Sequence, residues 1–164
     1  MQATIRRATV EDAAAISSIW EAVCSERVYT AVNRPFTPEQ ERSYIASLSD
    51  REGLFVAEEG GQVLGFQSLE RWANYTDSFD HVGVMGTFLL PESRRRGIGR
   101  RLAALTLGFA RENGYEKIVV YVRAGNAAAR AFYSRLGFAA KGRLERQVKI
   151  DGQYEDEIFM ELFL

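Results

Sequence analysis

FLLPESRRRGIGRRL, residues 88–102, joins a strand end, a proline, a run of arginines and a glycine pair. Phe88–Leu90 completes an apolar strand, and Pro91, which has no amide to donate, stops its ladder. Gly97 and Gly99 then open a helix with the apolar stripe Ile98, Leu102, Leu105 and Phe109, ended near Asn113 by Gly114. A helix N-terminus presents unpaired amides and about half a positive charge, and glycine lets an anion approach both. Arg94, Arg95, Arg96, Arg100 and Arg101 add local cationic charge, and guanidinium groups grip phosphate through paired hydrogen bonds. A diphosphate site is the physical reading; a solvated basic face and a nucleic-acid contact are its rivals. Two familiar phosphate loops are excluded. Leu102 stands where the dinucleotide fingerprint needs its third glycine, and no G-x-x-x-x-G-K-[ST] occurs.

Working outward, residues 4–8 read as a short strand, and Thr9 with Asp12 predicts the cap of a helix through Ile16, Ile19, Trp20 and Val23. A loop containing Pro35 leads to a second helix over residues 38–48. The runs LFVAEE and QVLGFQSLE flank Gly60-Gly61, a hairpin signal, and residues 81–90 form the strand that enters the arginine loop. Downstream, KIVVYV reads as a strand covered on both faces, followed by a helix opened by Asn126 and closed by Gly137. Residues 143–150 and 153–162 flank Asp151-Gly152, a second hairpin signal. The order is β-α-α-β-β-β-α-β-α-β-β. It predicts one α/β (α+β) domain over residues 1–164, a mixed, mostly antiparallel sheet of about seven strands flanked by about four helices.

The chain has 164 residues, 46% hydrophobic and 26% charged, which suits one soluble domain able to bury a core without staples. Its 21 basic and 22 acidic residues leave a net charge of −1, so no whole-molecule field draws it to nucleic acid or an anionic membrane. No segment has the apolar length of a signal or a membrane span, and a cytoplasmic protein is expected. One Cys24 and one His81 cannot make a zinc set, so no metal is expected, and Cys24 reads as a small buried hydrophobe.

About 30 residues after the arginine loop stands NAAARAFYSRLGF. Arg94-Arg95-Arg96-Gly97-Ile98-Gly99 and, within the second segment, Asn126, Ala129, Tyr133 and Gly137-Phe138 together resemble the paired signatures of the GNAT superfamily of acetyl-CoA-dependent N-acetyltransferases. The resemblance implies acetyl-CoA as co-substrate. Amides around Arg96, Gly97, Gly99 and Arg100 would hold its diphosphate, and amides near Phe88 and Leu90 its pantetheine, in the manner of an added strand. The implied coenzyme-binding set is Phe88, Leu89, Leu90, Arg94, Arg95, Arg96, Gly97, Ile98, Gly99, Arg100, Asn126, Ala129 and Tyr133. Tyr133 is also the implied catalytic acid, placed to protonate the departing thiolate. By its residue type alone Asn126 is equally a helix cap, and Tyr133 equally a half-buried aromatic with its hydroxyl satisfied.

Acyl transfer to an amine needs a neutral nucleophile, a stabilised oxyanion and a proton for the leaving sulfur. Many family members carry a carboxylate on the central strand as general base, but here Val84, Met85, Gly86 and Thr87 occupy that stretch. No base is assigned; Glu70, Asp80, His81 and Glu92 are the nearby polar groups. Acceptor recognition is expected from residues 28–36 and 72–79, through Tyr29, Phe36, Trp72, Tyr75 and Phe79, with Arg71 or Arg34 pairing a substrate carboxylate. The ending KGRLERQVKIDGQYEDEIFM resembles family members that acetylate amino acids or amino-acid-like amines, and relatives acting on protein N-termini. The expected partner is a small amine. The same hairpin is also a candidate edge for a homodimer. The rival functions are acetylation of protein N-termini or lysines and non-catalytic acyl-CoA binding.

Overall fold

The computed structural model describes residues 2–164. Its strands are β1 (Thr4–Arg7), β2 (Gly53–Glu59), β3 (Gln62–Arg71), β4 (Val82–Leu89), β5 (Lys117–Arg123), β6 (Ala139–Ile150) and β7 (Gln153–Phe163). The helices are α1 (Ala13–Ser25), α2 (Pro38–Ser47), α3 (Ile98–Glu112) and α4 (Ala127–Arg135). One seven-stranded sheet runs β1-β2-β3-β4-β5-β7-β6, antiparallel everywhere except between β4 and β5. The expected element order and architecture are thus observed.

Local chemistry accounts for the element ends. Thr37 accepts from the Gln40 amide at 3.2 Å and the Gln40 side chain returns a bond to the Thr37 amide, with Pro38 in the first helical position. At the first helix the Thr9 amide donates to Asp12 at 2.8 Å, but a 3₁₀ turn over Val10–Asp12 precedes α1. Asp12 also grips the Arg6 guanidinium through both oxygens, which ties β1 to this turn. Both residues of each two-residue hairpin turn, Gly60-Gly61 and Asp151-Gly152, have positive φ, as a type I′ turn requires.

Two expectations are corrected. Leu105 is 40% exposed, because the buried face of α3 is centred on Leu102, Ala103, Thr106 and Ala110, and Leu105 falls at its margin. β6 starts at Ala139 rather than Arg143: its first residues pair with Met160 and Glu161 before the register shifts at Lys141. The sequence signal failed there because a strand interrupted by bulges has no sustained alternation.

Helices α1 and α2 pack on one sheet face around Trp20, Phe66 and Phe88, whereas α3 and α4 cover the other around Leu69, Met85, Leu107 and Tyr133. The decisive feature lies between β4 and β5. They share only three residue pairs, Val82 with Lys117, Gly83 with Ile118 and Val84 with Val119, and then diverge. Beyond Val84, β4 stays with β3 while β5 stays with β7 as far as Arg123. A wedge-shaped gap opens in the middle of the sheet.

Leu102 fixes α3, and so the rim of that gap, against Phe55, Ala57 and Leu64; it is fully buried. Leu102→Ala is expected to cost about 2–5 kcal/mol, read as a lower midpoint in chemical denaturation at unchanged slope.

Candidate functional site

The gap is a cleft of about 1110 Å³. At one end is the N-terminus of α3. Gly97 takes φ 78°, a left-handed conformation that glycine adopts without strain, and this swings the chain from the arginine loop into the helix. Among the described residues, the amides of residues 95–100 have no backbone acceptor, while the neighbouring Arg94 amide bonds to Pro91 and that of Arg101 to Gly97. A row of unpaired donors at a helix start fits a diphosphate.

The arginines divide the work unexpectedly. Arg94 makes a two-pronged ion pair with Glu26 at 2.8 and 2.6 Å and lies over the Tyr29 ring. This fastens the loop after α1 to the rim. Arg96 is spent on Glu59, at 3.0 and 2.8 Å. Arg95 and Arg100 face the cleft with no ion pair among the described residues. Leu90, Arg96 and Ile98 do not line it: Leu90 packs beside the Trp20 cluster and Ile98 is core.

Strand parity decides which β4 amides the gap exposes. The Leu90 amide donates to Leu64 and the Trp72 amide to Val82, so even-numbered residues of β4 turn their backbone groups toward β3. Odd-numbered residues turn theirs the other way. The Met85 carbonyl, both backbone groups of Thr87 and the Leu89 amide, not those of Phe88 and Leu90, therefore face the gap where β5 has left, while the Leu89 carbonyl accepts from Arg94 at 3.2 Å. A one-residue step reverses the direction, which a sequence without known pairing could not fix.

Asn126 caps α4 by accepting from the Ala129 amide at 3.1 Å, and both residues line the cleft. Tyr133 follows one turn later, buried between Phe132 and Phe138. Its hydroxyl shares a 2.9 Å hydrogen bond with Thr87, which accepts from Gln67 Nε2 at 2.8 Å. Burial pushes the Tyr133 phenol up to about 12, against the pull of the Thr87 bond. Gln67 is fully buried and its Oε1 has no partner.

Of the residues named for acceptor recognition, Tyr29 and Phe36 line the cleft, and Trp72 stacks on Tyr121 at its border. Tyr75 and Phe79 face each other outside it. Arg71 sits on the opposite sheet face near Asp80, and Arg34 is exposed away from the cleft, so neither is in position for a substrate carboxylate. Asp80, His81 and Glu92 also lie outside; Glu70 lies inside. Sequence reading missed Trp20, Ser68, Tyr121 and Glu157 as cleft residues. Trp20 and Tyr121 look like core in their elements, and Glu157 looks like one more charge on an alternating hairpin.

The unzipped seam, the unpaired amides at the start of α3 and the buried phenol thus meet in one cleft. The sequence model of the acetyltransferase (GNAT) family matches residues 18–138, and the chain belongs to this family. It is 26% identical over 167 residues to an L-methionine sulfoximine/L-methionine sulfone acetyltransferase of Pseudomonas paraeruginosa, covering 100% of this chain and 96% of that one. A ribosomal-protein-alanine N-acetyltransferase from Brucella melitensis superposes with TM-score 0.91 and 27% identity over 98% of this chain and 99% of that one. A Salmonella typhimurium structure determined with its cofactor acetyl-CoA superposes with TM-score 0.92 and 25% identity over 100% and 95% of the two chains. The protein is an acyltransferase that uses acetyl-CoA as co-substrate and transfers the acetyl group to an amine.

The raised phenol makes a pH prediction. Because the folded-state value lies above the ordinary 10, Tyr133 supports the fold fully below pH 10, and that support declines as pH rises to about 12. Relative to Tyr133→Phe, wild-type stability should fall by about 2–3 kcal/mol across that window, measured by denaturant titration of both proteins at each pH.

Proposed function

We propose that the protein acetylates the primary amine of a small, amino-acid-like acceptor, with Tyr133 as the acid that protonates the leaving sulfur. The observation that carries this is the position of the Tyr133 hydroxyl, on the cleft between the free β4 edge and the start of α4, tethered to Thr87. When bound, acetyl-CoA supplies an activated acetyl group; everything else falls to the chain. The amides of residues 95–100 and the side chains of Arg95 and Arg100 hold the diphosphate, and the odd-numbered residues of β4 align the arm. Gln67 Nε2 can only donate, so Thr87 accepts from it and can turn its own proton to the phenol oxygen. The Tyr133 proton is then free to face the cleft.

The name of the Pseudomonas relative supports an amino-acid-like acceptor, as does a cleft walled by Trp20, Phe36 and Tyr121. A cytoplasmic setting without nucleic acid or membrane belongs to the same reading. Arg94 and Arg96 are already paired with acids, and no helix of the described residues is long and apolar enough to cross a membrane. No group of His, Cys, Asp and Glu among those residues is arranged for a metal ion. A homodimer would form through β6, the end strand, whose bulges at Lys141 and at residues 145–147 leave only short pairing edges.

The test is thiol release from acetyl-CoA across a panel of amines. Tyr133→Phe should lower kcat by about a hundredfold or more while calorimetry finds coenzyme affinity nearly unchanged. Equal loss of both removes Tyr133 from the acid role. Tight coenzyme binding with no amine acetylated would instead mark a non-catalytic acyl-CoA-binding module.

A further inference from the structure

The acceptor half of the cleft contains two carboxylates. Register places Phe66, Ser68 and Glu70 of β3 on the same face as Phe88, Gly86 and Val84 of β4, the face under α1 and α2. Val84 pairs with Val119, and two and four residues on along β5 come Tyr121 and Arg123, the latter opposite Glu157 of β7. Glu70 and Glu157 thus flank the same opening, and both line it. Tyr44 Oη donates to Glu70 at 2.5 Å. Glu157 is 9% exposed and has no hydrogen bond or ion pair among the described residues. Burial pushes its carboxyl up, and Arg123 beside it pulls the other way.

That arginine is already engaged. It binds Glu155 through Nε at 2.6 Å and the carbonyls of Arg27 and Thr30 at 2.7 and 3.1 Å. The remaining charged groups follow the same pattern. Arg94 is held by Glu26, Arg95 and Arg100 sit at the start of α3, and Arg135 is on α4. Glu41 of α2, buried near Glu70, adds an acid. Among the described residues, no uncommitted cation of the cleft lies on the acceptor face.

We propose that Glu157 receives the acceptor's ammonium group and takes its proton, and that with Glu70 it makes the cleft select amines without a neighbouring carboxylate, such as α-amino amides, over free amino acids. This rests on the acetyltransferase reading and specifies its acceptor. A buried carboxylate without a partner attracts an ammonium and repels a second carboxylate, and low local dielectric strengthens both effects. Val84 has no acid to offer, and Glu157 brings one in from a different strand. Per turnover the ammonium loses two protons. One goes to Glu157 and on to solvent; the other leaves nitrogen as the C–N bond forms, offsetting the proton that Tyr133 gives to sulfur as the C–S bond breaks.

The experiment compares leucine, leucinamide and leucinol in the thiol-release assay. Leucinol lacks the carboxylate without having its amine acidified by a carbonyl, so it separates charge from basicity. Leucinamide and leucinol should exceed leucine by about tenfold or more in kcat/KM. Glu157→Gln, which preserves size, should lower kcat for both by about tenfold or more and narrow their advantage over leucine, with acetyl-CoA affinity unchanged. Glu157→Asp should retain the advantage. Leucine used as well as leucinol, or a Glu157→Gln enzyme with wild-type rates and ratios, overturns the proposal. Calorimetric binding of the three amines to the coenzyme A complex reads the same selection without turnover. A wild type that binds leucinol over leucine but acetylates none of the three would overturn the small amino-acid-like acceptor of the proposed function and leave the selection by Glu157 standing.

Discussion

Three residue pairs hold β4 to β5, and the rest of the site depends on their being only three. A sheet normally uses every backbone donor and acceptor at its centre, because a buried unpaired group carries a desolvation cost. Here the central seam is left open from Met85 to Leu89 on one side and from Val120 to Arg123 on the other. The exposed edge offers main-chain donors and acceptors to a strand-like group that enters. The gap therefore has hydrogen-bonding capacity in its main chain before any side chain is considered. Its walls cannot drift, because β3 and β7 hold the separated strands through continuous ladders and α3 is locked by Leu102.

Charge differs between the two faces of this gap. On the side of α3 the helix start, Arg95 and Arg100 favour anions; on the face under α1 and α2 Glu70 and Glu157 favour cations. The balanced total of 21 basic and 22 acidic residues conceals both poles. Ion pairs sharpen the division. Arg94 and Arg96 are held by Glu26 and Glu59, and Arg123 by Glu155, so cations that would blur the pattern are committed to structure. The Arg94–Glu26 and Arg123–Thr30 contacts also pin the loop after α1 over the cleft from two sides.

Much was legible in the sequence where local physics alone decides. The two hairpins follow from residue pairs that accept positive φ, and the cap at Asn126 from a side chain that bonds its own helix. The row of unpaired amides follows from glycine at 97 and a helix that has to begin there. Each is a matter of neighbours a few residues apart, so periodicity and residue type suffice. The chain's membership of an acetyltransferase family was legible for the same reason: its signatures lie on the two helix starts that flank the cleft.

What only the tertiary structure decided depends on register and pairing between distant segments. Whether Phe88 or Leu89 offers its amide turns on one step of the β3–β4 ladder, and whether an arginine is free turns on acids 37 to 68 residues away. Glu157 was unreadable because its significance comes from β7 lying beside a β5 that has left β4, a fact recorded in no local pattern. Sequence sets the vocabulary of caps, turns and glycine bends through short-range sterics and hydrogen bonding. The location of an uncompensated charge is a sum over the whole fold, and only the assembled sheet performs that sum.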